Sequence, residues 1–223
     1  MKVFTEIEEL MGKKTYKDIR LNKLQERFKS KKLTFISIEF TNQNPTLCEC
    51  LLIKEENLIS YIIQDLEKID RLWEKTSLKE LLSEIKDLLE KEKPIFGNLS
   101  FSKISQIKEY AFLTARPLVI FNNEDTLALL KKILEVCGYI SFFTVNSNEI
   151  KGWLLKRGRN IIEAAGKIHT DLAKGFIRAE VYNIKDLDSF DNPSSAKARG
   201  VMKIVDRDYI VEEGDIINIK FKV

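Results

Sequence analysis

The stretch "LVIFNNED", Leu118 to Asp125, runs four apolar residues into a loop of Asn122, Asn123, Glu124 and Asp125. A short strand ending in amides and carboxylates could deliver a reader to a nucleotide base, because these groups match the hydrogen-bonding edges of bases. The plainer alternative is a loop capping the helix that follows, with Asp125 at its N-terminus, where negative charge is favourable. A second constellation lies in "KGWLLKRGRN", which supplies Lys151, Trp153, Lys156, Arg157 and Arg159. In a strand, Trp153 alternates onto the same face as Lys151 and Arg157. A ring beside cations can stack on bases while the cations meet phosphates. Lys174 and Arg178 extend this patch where the fold brings them near. Against it stands an ordinary reading, with Trp153 in the core and the charges along a solvated edge.

Other candidates carry less. His169 is the only histidine, so no histidine relay or multi-histidine metal site can be built, and a histidine hydrogen-bonded at a helix end is expected. Cys48 and Cys50 in "CEC" offer too few ligands for a metal. In "MGKKT", Gly12 and Lys13 lack the preceding glycine of a phosphate-cradling loop, and Lys14 stands where a Mg²⁺-binding hydroxyl would be. No catalytic residue and no metal ligand is assigned.

Composition agrees with a globular intracellular protein. The chain has 223 residues, 44% hydrophobic and 32% charged, and a formal net charge of +3, too mild to declare a nucleic-acid binder by itself. Three cysteines in no CxxC spacing exclude a disulfide scaffold and fit a reduced, cytoplasmic setting. No apolar run approaches the roughly 18 residues of a membrane span, so no membrane partner is expected.

The elements that must position these residues follow from periodicity. "LNKLQERF" has Leu21, Leu24 and Phe28 at helical spacing, within a window from Met11 to Lys32 that is rich in lysine and arginine. "LTFISIEF" alternates and reads as one strand, broken by "TNQNP". Leu58, Ile62, Leu66, Ile69 and Trp73, then Leu78, Leu82, Ile85 and Leu89, predict two amphipathic helices forming an antiparallel hairpin. Ser77 and Glu80 have capping-box spacing, and "SKISQIKEYAFL" predicts a third helix. "PLVIF" predicts a strand and "TLALLKKILEVCGYI" a helix, a fragment of an α/β unit. From about Ser147, "EIKGWLLKRG", "NIIEAAGKIHTDL", "GFIRAEVYN", "VMKIV", "DYIV" and "DIINIKFKV" predict strand, helix and four strands. That is a helix packed on a mixed sheet, the β-grasp arrangement.

These segments carry a resemblance. "EAAGKIHTDLAKGFIRAEV" and "DYIVEEGDIINIKFKV" closely resemble the C-terminal TGS domain of the YchF family, the Obg-related P-loop nucleotidases. "FFTVNSNEIKGW" resembles the lead into that domain, "LLEKEKP" with "LTARPLVIFNN" the family's helical insertion and base-reading strand, and "DIRLNKLQERFKSKKLTFISIEF" the segment before its Mg²⁺-associated motif.

The departures are as informative. No G-x-x-x-x-G-K-[ST] segment is present, and where the family has D-x-x-G after its strand this chain reads "TNQNP", with Asn42 for the Asp and Pro45 for the Gly. A neutral amide lacks the carboxylate charge and Pro has no N–H for a phosphate. From Pro117, Asn123 falls where the family's N-x-x-E begins, with Thr126 fourth; shifted by one, Asn122 to Asp125 gives N-x-x-D.

The resemblance thus implies an α+β chain: a reduced nucleotidase-like remnant at 1–55 and 113–146, a helical hairpin or coiled-coil insertion at 56–112, and a TGS domain at 147–223. The expected function is non-catalytic binding of ribosome, RNA or a protein partner, the last through the hairpin, with no cofactor. Asn122, Asn123 and Asp125 are then vestigial nucleotide-binding residues, and Lys151, Trp153, Lys156, Arg157, Arg159, Lys174 and Arg178 the RNA- or partner-binding ones. The alternatives are a residual ATPase or GTPase with Mg²⁺, its site rebuilt from Asn122, Asn123 and Lys13, and a structural protein whose hairpin self-associates.

Overall fold

A computed structural model describes residues 1–190 and 193–222. Its N-terminal elements are β1 (Lys2–Thr5), β2 (Gly12–Tyr16), α1 (Ile19–Phe28), β3 (Lys32–Thr34), β4 (Ile36–Thr41) and β5 (Cys50–Ile53). Then come α2 (Leu58–Leu72), α3 (Lys79–Leu89), α4 (Phe101–Gln106), β6 (Leu118–Ile120) and α5 (Thr126–Val136). The C-terminal part holds β7 (Tyr139–Val145), β8 (Glu149–Lys156), α6 (Ile161–Ile168), α7 (Thr170–Lys174), β9 (Phe176–Asn183), α8 (Pro193–Ala198), β10 (Lys203–Val205) and β11 (Asp215–Phe221).

The chain divides into two units, Met1–Lys14 with Ser37–Cys137, and Thr15–Ile36 with Gly138–Val223. The second unit begins at Gly138 and not near 147 because β7 pairs along its whole length with β8. It also draws in α1 and β3 from the 1–55 segment. The expected single strand "LTFISIEF" is two strands: β3 pairs with β8, whereas β4 pairs with β1. β4 alternates as expected, with Ile36, Ile38 and Phe40 buried, but parity along a run does not reveal that it serves two sheets.

In the first unit the strand order is β2-β4-β1-β5-β6, with β4, β1, β5 and β6 parallel. β5, "CLLI", is buried at every residue, as a strand covered on both faces should be. The crossover from β5 to β6 contains α2 and α3, whose Ile62, Ile69, Leu82, Ile85 and Leu89 form one core with Ile95, Ile107 and Phe112. The Ser77 capping box does not form; the helix starts at Lys79, and Thr76 Oγ1 accepts from the Leu78 amide instead. The expected third helix stops at Gln106 and continues only as a 3-10 turn over Lys108–Tyr110, ended by Ala111 in the left-handed region. Asp65, wholly buried in α2, accepts from the Leu113 amide at 2.8 Å and from the Thr114 amide and hydroxyl, each at 2.7 Å. It thereby fixes the segment leading into β6.

In the second unit the order is β10-β9-β11-β7-β8-β3. The β7–β8 hairpin is antiparallel, β11 lies parallel to β7, and β9 runs antiparallel to β11. One face packs Ile140, Phe142, Leu155, Ala179, Val181 and Ile217 against Ile161, Ala164 and Ala165 of α6. The other packs Phe143, Ile150, Tyr182 and Ile216 against Leu21 and Leu24 of α1. The expected helix "NIIEAAGKIHTDL" breaks at His169, which is extended and caps α7 by accepting from the Asp171 amide at 3.2 Å. "DYIV" is a turn with a single bridge, Asn160 to Ile210, and not a strand. Its Tyr209 hydroxyl donates to the buried Asp215 at 2.9 Å, as does the Glu212 amide.

Candidate functional site

In a parallel sheet ligands bind beyond the carboxyl ends of the strands. At that edge of the first unit, β1 is followed by a six-residue loop containing Glu6, Glu8 and Glu9, all exposed. β5 is followed by Lys54, Glu55 and Glu56, also exposed. Asn57 Nδ2 donates to Glu6 at 2.9 Å, and burial beside Glu6 pushes the Tyr61 phenol up. These two loops therefore present five carboxylates against the single cation Lys54, which pairs with Glu56 at 3.8 Å, where a phosphate-binding site presents amides and cations. Among the described residues no cluster of three or more His, Cys, Asp or Glu could hold a metal ion.

The loop after β6 is closed on itself. Asn122 donates its amide to Glu124 at 2.6 Å, and Asn123 sits in the left-handed region with φ 56°. Asp125 caps α5 by accepting from the Leu127 and Ala128 amides at 2.9 and 3.1 Å. Burial works against the Glu124 charge, yet Lys132 at 2.8 Å and the Asn122 amide hold its carboxyl below the usual range. This is the helix-capping geometry weighed against base reading above. Nor do Asn122, Asn123 and Lys13 converge: Lys13 lies on β2 and the two asparagines follow β6, at opposite edges of the sheet. Four strand spacings put about 19 Å between those edges.

The basic set of the second unit is divided. Lys151 Nζ lies 3.8 Å from the Trp153 ring centroid, and Trp153 stacks on Phe142 and donates its indole N–H to Thr144 at 2.9 Å. Both sit on the face that α6 covers, since Phe142 is the register partner of Trp153. Lys156 alternates onto the other face, 3.9 Å over Tyr139. Arg157 and Arg159 lie in the exposed turn after β8, where Arg159 pairs with Glu163 at 3.6 Å. At 3.3 Å per residue, Arg157 is about 20 Å along the strand from Lys151.

β9 runs in the same direction as β8, so Arg178, near its start, is at the Lys151 end of the sheet. It is three strands away, however, and on the opposite face. A local basic cluster does form there, from residues the sequence reading did not single out. Lys220 is the register partner of Arg178, and the Lys222 amide donates to Gly175, the residue after Lys174. Lys220 pairs with Glu180 at 3.1 Å; Lys174, Arg178 and Lys222 are exposed. The alternating lysines of "IKFKV" were the signal available in the sequence.

Residues 139–222 match the family described as "YchF-GTPase_C: Protein of unknown function (DUF933)". Over 145 residues, 63% of the chain, the sequence is 34% identical to "Obg-like ATPase 1" of Xenopus laevis, covering 36% of that protein. Over 182 residues, 76% of the chain, it is 31% identical to "Ribosome-binding ATPase YchF" of Buchnera aphidicola, covering 49% of it. The chain thus spans about a third to a half of the length of these two relatives. The fold is similar to that of the Schizosaccharomyces pombe YchF GTPase, with a TM-score of 0.74 at 16% identity over 93% of this chain and 86% of that one. By the matched C-terminal domain and these relatives, the chain belongs to the YchF family.

Proposed function

We propose that this chain is a ribosome- or RNA-binding YchF protein whose C-terminal unit makes the contacts and whose first unit does not hydrolyse nucleotide. In this reading the C-terminal unit is a TGS-type β-grasp domain, supported by its hairpin, helix and central parallel pair β7 and β11. The observation that carries the proposal is the likeness to a relative named for binding ribosomes, together with the exposed cations Lys174, Arg178 and Lys222 in the domain that matches the family. Lys151 on Trp153 adds a cation beside a ring. Arg157 and Arg159 provide a second contact at the far end of the domain, and Lys156 sits between. The α2–α3 hairpin is an arm for a protein surface, and a cytoplasmic setting follows from the partner. No membrane is involved in this reading, and no helix of the described residues is long and apolar enough to cross one.

Co-sedimentation with purified ribosomes across salt tests it. Four phosphate contacts released between about 50 and 200 mM salt weaken binding about a hundredfold. Salt-independent binding, or none, overturns the proposal.

The second reading, nucleotide binding with hydrolysis, is supported by the relatives' names, which call them ATPases. Against it stand Glu6, Glu8 and Glu9 after β1 and the Asn42 and Pro45 positions after β4. Calorimetric titration with ATP and GTP, with and without Mg²⁺, separates the two. Micromolar binding puts the nucleotide reading first.

A further inference from the structure

At the amino end of β6, opposite the acidic loops, the first unit has a cleft of about 340 Å³. Its walls are apolar: Phe101, Ile104, Phe112 and Pro117 contribute, and Phe101 is 84% exposed at the rim. Two cations, Lys108 and Arg116, line it, and no acidic residue does. The Arg116 guanidinium donates to the backbone carbonyls of Cys48, at 2.8 Å, and Thr46. Its buried Nε has no partner among the described residues, and no carboxylate there pairs with it. A half-buried guanidinium without a counter-ion is costly unless an anion joins it.

Nothing in the nucleotide or ribosome readings uses this cleft. We infer that it binds a small amphipathic carboxylate, a medium-chain aliphatic or an aryl acid, with its apolar body on Ile104, Phe112 and Phe101 and its head toward Lys108 and Arg116. The volume lies at the small end of the range for ligand pockets, roughly 300–1,000 Å³, and the mix of apolar walls with a few orienting polar groups is typical of them. The charge selects the ligand. A neutral molecule of the same shape leaves both cations as they are, whereas a carboxylate gains a charge-assisted hydrogen bond. A phosphorylated polar ligand gains nothing from four apolar walls.

The experiment uses the full chain and a fluorescent apolar anion, anilinonaphthalene sulfonate, displaced by decanoate or by decanol. Decanoate is expected to displace the probe at least about tenfold more effectively than decanol, the ratio for one charge-assisted hydrogen bond. Lys108→Gln and Arg116→Met each reduce that preference. Phe101→Ala weakens both competitors alike, because it removes apolar contact and no charge. Arg116 also holds the Thr46 and Cys48 carbonyls, so Lys108→Gln keeps the test decisive if Arg116→Met does not fold. Equal displacement by decanoate and decanol, or a preference unchanged in Lys108→Gln, overturns the inference.

Discussion

The loop edge of the first sheet and the α7–β9–β11 end of the second both gather charged side chains, and they use them differently. In the first unit Asp125 caps a helix and Glu124 ties Lys132 to its own loop, while Asp65 is locked inside, away from that edge, and Glu6, Glu8 and Glu9 of the β1 loop stand exposed as carboxylates. On the second, Lys174, Arg178 and Lys222 stand exposed, and only Lys220 of that cluster has an ion pair among the described residues. Charges whose hydrogen bonds end within the chain stabilise structure; charges left to solvent are available to a partner. If this distinction holds, substitutions in the first set alter folding and substitutions in the second alter binding.

The largest expected effect is that of Asp65→Ala. It leaves the Leu113 and Thr114 amides and the Thr114 hydroxyl unpaired in a fully buried place. At about 1–3 kcal/mol for each unsatisfied buried group, the loss is about 3 kcal/mol or more. Urea denaturation measures it as a lower midpoint, and a loss below about 1 kcal/mol would mean that this carboxylate is not structural. Burial also pushes the Asp65 carboxyl above its ordinary 3.8. The native state then holds more protons than the unfolded one, so this group's contribution falls as pH rises from 3.8 through the raised value. Asp65→Asn removes that slope.

Next comes charge reversal on the second sheet. Lys174→Glu with Arg178→Glu is expected to weaken ribosome binding by about tenfold or more while leaving the urea midpoint unchanged, since exposed charges contribute little to folding. The converse, Glu8→Lys with Glu9→Lys, strengthens non-specific RNA binding several-fold if the acidic edge now repels it. A filter-binding assay reads both. Equal losses of binding and stability in the first variant break the distinction drawn above.

A smaller effect involves Glu149, where β8 meets β3. The Thr34 hydroxyl, outweighing partial burial, and then Lys32 hold its carboxyl below the ordinary 4.5. Here the unfolded state takes up the proton first, so the contribution is present above 4.5 and lost as pH falls through the folded value. Glu149→Gln abolishes that acid-side loss, read as hydrogen exchange of the Lys32 to Thr34 amides. Glu149 and Asp65 therefore titrate in opposite senses, and identical pH slopes for the two glutamine and asparagine variants would refute the assignment.

The sequence carried the elements better than their assembly. Leu58, Ile62 and Ile69 gave the helix α2, and "GFIRAEVYN" gave β9, because period and alternation are local properties of the chain. Register and strand order are not local. Whether Arg178 extends the Lys151 patch therefore depends on pairing, which sets the two three strands apart on opposite faces. The helix break at His169 was equally hidden, since the apolar spacing continues through Leu172 while a side-chain cap restarts the helix. Asp125 was legible because a cap acts within three residues. Asp65 was not, because its partners lie about fifty positions on, at Leu113 and Thr114.

The smallest expected effect is the most discriminating. Lys151 rests on Trp153 at 3.8 Å, so it could serve the fold as a cation on a ring or serve a partner as a phosphate contact. Lys151→Met keeps the aliphatic stem on the indole and removes only the charge. A cation–π contact at a half-exposed site is worth about 0.5–1 kcal/mol, so a purely structural lysine lowers stability by that much and leaves the salt dependence of ribosome binding alone. A phosphate contact instead lowers the slope of log affinity against log salt by about 0.9, with stability changing by less than about 0.5 kcal/mol. The second pattern is expected. Among the described residues no carboxylate pairs with the Lys151 ammonium, which rests on the Trp153 ring and is only partly buried. An unchanged slope would move Lys151 to the structural set, and the binding surface would contract to Lys174, Arg178 and Lys222 at one end and Arg157 and Arg159 at the other.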